Sequence, residues 1–173
     1  NPNGAASGSL YIGNGGSSAV PPVGAATKNN TFVGLGSGYS ITSGQLNTAL
    51  GSNSLESLTT ATDNVAIGAG AGLDITTGSS NVIIGNSTFF TNQNAANNNV
   101  LIGNNAGWAA GAANPQSNCI VIGSGAVSDG SGTTVIGNAS TTQTKLRGSL
   151  ITTGTATSTI GGPLEVAGNI SLK

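Results

Sequence analysis

The stretch NVIIGN, residues 81–86, returns as NVLIGN at 99–104 and as NVAIGA at 64–69. Anchored on its glycine, the same phrase recurs at Gly13, Gly34, Gly51, Gly68, Gly85, Gly103, Gly123 and Gly137, with successive spacings of 21, 17, 17, 17, 18, 20 and 14 residues. Seventeen residues is the modal period, and the longer spacings mark places where loops are inserted. Recurrence at such a period decides the fold, because a unit this small cannot bury an apolar face alone and must stack on its neighbours.

The residue before each glycine is aliphatic: Ile12, Val33, Leu50, Ile67, Ile84, Ile102, Ile122 and Ile136. Two residues further back stand Leu10, Thr31, Thr48, Val65, Val82, Val100, Ile120 and Thr134, on the same face of a strand because side chains alternate with period two. These two columns are expected to form the core. The residues between them, Tyr11, Phe32, Ala49, Ala66, Ile83, Leu101, Val121 and Val135, are apolar as well. A strand with two apolar faces needs a partner on each, so this in-between column is expected to face neighbouring copies of the chain.

Three positions after each glycine the residue is small, as a tight corner requires: Gly16, Ser37, Ser54, Ala71, Thr88, Ala106, Ala126 and Ser140. Five positions on lie Tyr39, Glu56, Leu73, Phe90 and Trp108, and seven on lie Ile41, Leu58, Ile75 and Ala110, which reads as a second short strand. The expected architecture is therefore all-β, a parallel β-solenoid (β-roll) of about eight coils over residues 9–140. An extension of residues 1–8 precedes it. From residue 141 to 173 the rhythm breaks, and runs such as GSLITTG and GPLEVAG, bounded by glycine, predict a short β-rich shaft or connector expected to continue beyond Lys173.

Asn30, Asn47, Asn64, Asn81 and Asn99 open five of the phrases, and stacked in register their amides are expected to bond from coil to coil. A row of sugar-binding amides is the functional alternative. Cys119 holds the same place in its coil and reads as a small buried residue, not as a nucleophile or half of a disulfide.

Composition narrows the function. Only 5% of the 173 residues are charged and the chain has four Lys and Arg in all, too few to neutralise a nucleic-acid backbone or an anionic membrane. No apolar run approaches 18 residues and no charged-then-apolar leader stands at the start, so neither membrane insertion nor a signal peptide is expected of this segment. With no His and one Cys, a histidine-dependent triad and the usual zinc clusters are excluded, and no cofactor or metal is expected. GAGAG at 68–72 has no Lys-Ser/Thr after it and reads as solenoid corners, not a phosphate loop. Asp74 and Asp129 share a column but lie about 14 Å apart at three coils' separation, wider than glycoside hydrolysis uses. The chain is expected not to be an enzyme, with an interchain depolymerase as a remote alternative.

The phrases NVAIGAGAG and NVIIGN, with a small residue three places after each glycine, resemble the head repeats of trimeric autotransporter adhesins, and similar repeats occur in bacteriophage tail fibres. That resemblance implies a left-handed roll, a homotrimer, and an extracellular position on a cell surface, a virion or a filament. The partners it implies are the chain itself and a host-surface or matrix glycan or protein receptor. Specificity is then expected from the insertions at 20–28, 91–98 and 114–117, with Phe89, Asn92, Gln93, Asn94 and Gln116 as candidate surface contacts. Trp108 is expected to pack in or at the edge of its coil. An ice-binding solenoid is the weaker alternative, suggested by the alternating Thr153, Thr155, Thr157 and Thr159.

Overall fold

The computed structural model describes residues 8–13, 28–88, 94–108 and 115–147. The chain divides into two units, Asn1–Thr142 and Gln143–Lys173. In the second, the described residues 143–147 form no strand, and both glycine-bounded runs of the tail lie outside the described residues.

The first unit is a β-solenoid of about six turns, and no helix occurs among its described residues. Each phrase forms a three-residue strand: β1 Leu10–Ile12, β2 Thr31–Val33, β3 Thr48–Leu50, β4 Val65–Ile67, β5 Val82–Ile84 and β6 Val100–Ile102. After the two-residue β7, Gly107–Trp108, come β8 Ile120–Ile122, β9 Val127–Ser128 and β10 Thr134–Ile136. The eight phrase strands lie in one sheet in the order β1-β2-β3-β4-β5-β6-β8-β10, every pair parallel and in phrase register, so that Ile83 stands opposite Ala66 and Leu101. β7 and β9 form a separate parallel pair.

The two faces of the sheet are the reverse of the expectation. The in-between column points inward: Phe32, Ala49, Ala66, Ile83, Leu101 and Val121 are at most 1% exposed, and Tyr11 and Val135 pack against this core from its two ends. These eight residues therefore do not face neighbouring copies. The flanking columns point outward, with Leu10, Ile12, Leu50 and Ile136 about half exposed. The physical reason is the narrowness of the coil. A three-residue strand between two corners delivers one side chain to the interior, and that is the middle one.

In the coils after β2, β3 and β4 the expected second strand is replaced by consecutive turns, whereas after β6 and β8 it forms as β7 and β9. In the coil after β2, Ser37 N–H donates to Gly34 O, Tyr39 N–H to Gly36 O and Ile41 N–H to Gly38 O, each at 3.3 Å, and the coil after β4 repeats this from Gly68 to Ile75. Such a chain of turns needs left-handed residues at alternate places, which Gly36, Gly38, Gly70 and Gly72 supply at φ of 62 to 71°. The turns still deliver Ile41, Leu58 and Ile75 to the core.

Size is balanced between the strand and the turn. A side chain at Gly38 would strike the Phe32 ring, and one at Gly72 would meet Leu55 and Ile83. Where the strand offers only Ala49 and Ala66, Leu55 occupies the left-handed position itself, at φ 50°, and its buried side chain fills the space. The phrase glycines are required for a different reason. At Gly34, Gly51, Gly68, Gly85 and Gly103, all at φ 129 to 140°, a Cβ would collide with the carbonyl of the phrase glycine in the next coil.

Candidate functional site

The inward strand residue shares its face with the residue two before it, and that position carries the asparagines. Asn30, Asn47, Asn64, Asn81 and Asn99 are fully buried. Each Nδ2 from Asn47 onward donates to the Oδ1 of the asparagine in the preceding coil, at 3.0 to 3.1 Å. The same oxygen accepts the backbone N–H of the next asparagine at 2.9 to 3.1 Å. The second Nδ2 hydrogen goes to a backbone carbonyl: Gly44, Ala61, Gly78, Ala96 and Gln116 in turn, at 2.8 to 3.0 Å. Both donors and the acceptor of the inner amides are thus used inside the protein, and burial removes them from any ligand. The ladder is a structural spine, not a row of sugar-binding groups.

Its ends are closed by other chemistry. At the start, Asn30 N–H donates to Ser9 Oγ at 3.0 Å. At the other end Cys119 N–H donates to Asn99 Oδ1 at 2.9 Å, and the buried thiol donates to Gly130 O at 3.3 Å. Gln116 belongs to this closure. Only 5% exposed, it accepts Ser128 Oγ on Oε1 at 3.1 Å, so it is not a surface contact as the sequence suggested.

Of the other surface candidates, Phe89, Asn92 and Gln93 lie outside the described residues. Asn94 is exposed, while its carbonyl accepts the N–H groups of Thr76, Thr77 and Gly78 at 2.8 to 3.1 Å. Trp108, at 7% exposure, packs inside the coil, whereas Tyr39 in the same column is exposed.

Two surface features follow from the fold that the phrase alone does not announce. A second polar column stands two residues before the asparagines. There Thr62 N–H meets Ser79 Oγ, Ser79 N–H meets Asn97 Oδ1 and Asn97 N–H meets Ser117 Oγ, at 2.8 to 3.0 Å. Its signal is a polar residue at every such position: Lys28, Gln45, Thr62, Ser79, Asn97 and Ser117. A threonine column on another edge donates Thr42, Thr59 and Thr76 Oγ1 to Thr59, Thr76 and Asn94 carbonyls at 3.0 to 3.1 Å.

Reactive groups do not converge in the described part of the chain. Among the described residues no three of His, Cys, Asp and Glu come together as a metal-binding group. Asp74 sits in the turns after β4 and Asp129 after β9, on separate coils. No family model, curated protein or solved structure matches the chain.

Proposed function

We propose that this chain is a structural and adhesive fibre module, a rigid solenoid rod that associates with two further copies of itself outside the cell and holds its polar edges toward a surface. The observation that carries this reading is the outward face of the eight-stranded sheet. Of its sixteen positions in two columns, all but Thr31, Thr48 and Thr134 are aliphatic. Eight strands give seven rung spacings, and at about 4.8 Å per rung by three residues of about 3.3 Å the strip covers roughly 330 Å² before side-chain relief is counted. A contiguous apolar strip of a few hundred Å² is comparable to the largest patch on a typical monomer, and such patches are often interaction sites.

Identical copies suit this face best, since columns with one rung spacing match only columns with the same spacing. Three sheets turned toward a common axis cover both columns of each copy. The interior supports the mechanical part of the reading: the strand ladder ties each phrase strand to the next, and the asparagine spine ties the five coils from Asn30 to Asn99. A tail-fibre segment of a bacteriophage, or a subunit of an extracellular filament, would use the same properties.

Light scattering of the purified chain tests the association, with three copies expected in dilute solution and a folded monomer overturning it. Attachment of the fluorescently labelled oligomer to cell and matrix-coated surfaces tests the adhesive part. Attachment above that of a size-matched inert protein is expected, and none on any surface would overturn it.

A further inference from the structure

We infer that the corner ridge formed by Asn86, Asn104, Asn105 and Ser124 binds a neutral saccharide chain, an inference that rests on the adhesive reading and gives it a ligand class. β5, β6 and β8 turn into their corners through Gly85, Gly103 and Gly123, so Asn86, Asn104 and Ser124 stand at equivalent places on three successive rungs. All three are exposed, as is Asn105 beside them.

Stacked amides normally satisfy one another, as the buried spine does at 3.0 to 3.1 Å. On the ridge no such bond runs back to the preceding rung, whose carbonyls each already accept a backbone N–H. Ala69 O accepts the N–H of Ser87 at 2.8 Å, Asn86 O that of Asn105 at 3.0 Å, and Asn104 O that of Gly125 at 2.8 Å. The exception shows the rule. On the last rung, Ser124 O is left to Asn138 Nδ2 at 2.7 Å, and Asn138 is locked. Among the described residues, the side chains of Asn86, Asn104, Asn105 and Ser124 have no such partner and all four are exposed, so three amides and a hydroxyl are offered to solvent.

The chemistry of the ligand follows from what the ridge offers. Each amide presents two donors and an acceptor, and the hydroxyl one donor and two acceptors, a set that pairs with sugar hydroxyls in either direction. The groups repeat at about 4.8 Å per rung, close to the advance of one sugar along an extended pyranose chain. No Lys or Arg occurs between residues 29 and 144, so an anionic ligand would find no counter-charge. On the three rungs before the ridge the same position holds Leu35, Ser52 and Ala69, so the run of amides begins at Asn86. With no stacking ring among the described residues of the ridge, one copy binds weakly, and several copies on one rod bind through avidity.

The test uses the intact oligomer on immobilised cellulose, chitin and mannan, with heparin as an anionic probe. Retention on at least one neutral polysaccharide is expected, falling at least tenfold in the combined variant Asn86→Ala, Asn104→Ala, Asn105→Gly and Ser124→Ala. Glycine at 105 respects the positive φ of 53° there. Thr60→Ala, on another edge, should bind as the parent does, and unchanged oligomer size and melting of the ridge variant exclude a folding defect. Retention on heparin alone, on none of the probes, or equally by the ridge variant would overturn the inference. Surface attachment by the parent that survives in the ridge variant removes the ridge and leaves the rod reading standing, whereas a parent that attaches to no surface removes that reading as well.

Discussion

Asn81 donates both its backbone N–H and its side-chain Nδ2 to one atom, Oδ1 of Asn64, each at 3.0 Å. The pair is fully buried, so neither group has water as an alternative. Removing the acceptor therefore leaves two donors unmet, each costing about 1–3 kcal/mol. Asn64→Ala should lower stability by about 3–5 kcal/mol, read as a fall in thermal midpoint. Asn64→Asp keeps an acceptor but buries a carboxyl whose folded pKa is raised by loss of water. Its deficit should be smallest below the unfolded carboxyl pKa of about 4 and grow as pH rises through the folded value. A deficit independent of pH would show that water reaches the spine.

The reversal of the sheet's faces makes a sharper test at adjacent residues. Ile83 is fully buried and Ile84 only partly so. Ile83→Asp places an unpaired charge in the core and should abolish folding. Ile84→Asp should fold, as judged by circular dichroism, and lose only self-association. Among the described residues Asn94 bonds only through its backbone carbonyl and its side chain is exposed, so Asn94→Asp should leave melting nearly unchanged. Equal losses at Ile83 and Ile84 would contradict the inward direction of the middle residue.

That direction was legible in the sequence, though the hydrophobic columns obscure it. Period-two alternation puts Asn81 and Ile83 on one face. A ladder of amides shielded from water must be internal, and so must the column beside it. Reading hydrophobicity first favours the two aliphatic columns as core, since Ala49 and Ala66 look too small to be one. Their volume is made up from the turn by Leu55, a long-range compensation that no single repeat displays. The repeat period, parallel stacking, amide spine and small corners follow from local pattern and were plain. The turns that replace the second strand in the earlier coils depend on positive φ at residues as unlike as Gly38 and Leu55, and the amide ridge depends on which residues the corners bring onto successive rungs.

The corner glycines should not be equally sensitive. A Cβ at Gly68 would drive into the Gly85 carbonyl, backbone against backbone, at φ 129°. Gly68→Ala should cost more than about 3 kcal/mol, since neither strand can retreat without breaking the ladder. Gly132 has φ 75° and nothing within 4 Å of an added Cβ. Gly132→Ala should therefore cost only the backbone term, about 1 kcal/mol. Chemical denaturation of the two variants checks the order, and the reverse order would contradict the stacking of the corners.

One position offers a gain. The residue before each ladder position is left-handed throughout, at φ 56 to 61°, and is Asn29, Asp63, Ser80, Asn98 or Asn118 except where Leu46 takes the place. Leu46 is about half exposed, so it recovers little by burial. Asparagine tolerates this conformation better than leucine. Leu46→Asn should raise stability by about 0.5–1 kcal/mol, measurable as an upward shift in urea midpoint without change in slope. A loss would mean that the leucine side chain is covered in the assembled rod.

The end of the spine tests whether the ladder can be extended. Cys119 occupies the sixth ladder position, and its thiol points at Gly130 O, 3.3 Å away, where an asparagine Nδ2 would donate a stronger bond. The other Nδ2 hydrogen would meet Asn99 Oδ1, which already accepts Cys119 N–H at 2.9 Å, as the inner asparagines do with the coil before them. Thr133 stands at the next ladder position, with its backbone N–H free to meet the new Oδ1. Cys119→Asn should therefore hold or raise stability by about 1 kcal/mol, the net value of one additional buried hydrogen bond. Cys119→Ala, which supplies neither donor nor acceptor, should lose about 1–2 kcal/mol. Melting curves of the two variants decide the matter. If asparagine is worse than alanine, the sulfur is there because the closing network of Gln116, Ser128 and Thr133 leaves room for nothing larger, and the spine is ended by packing instead of by chance of sequence.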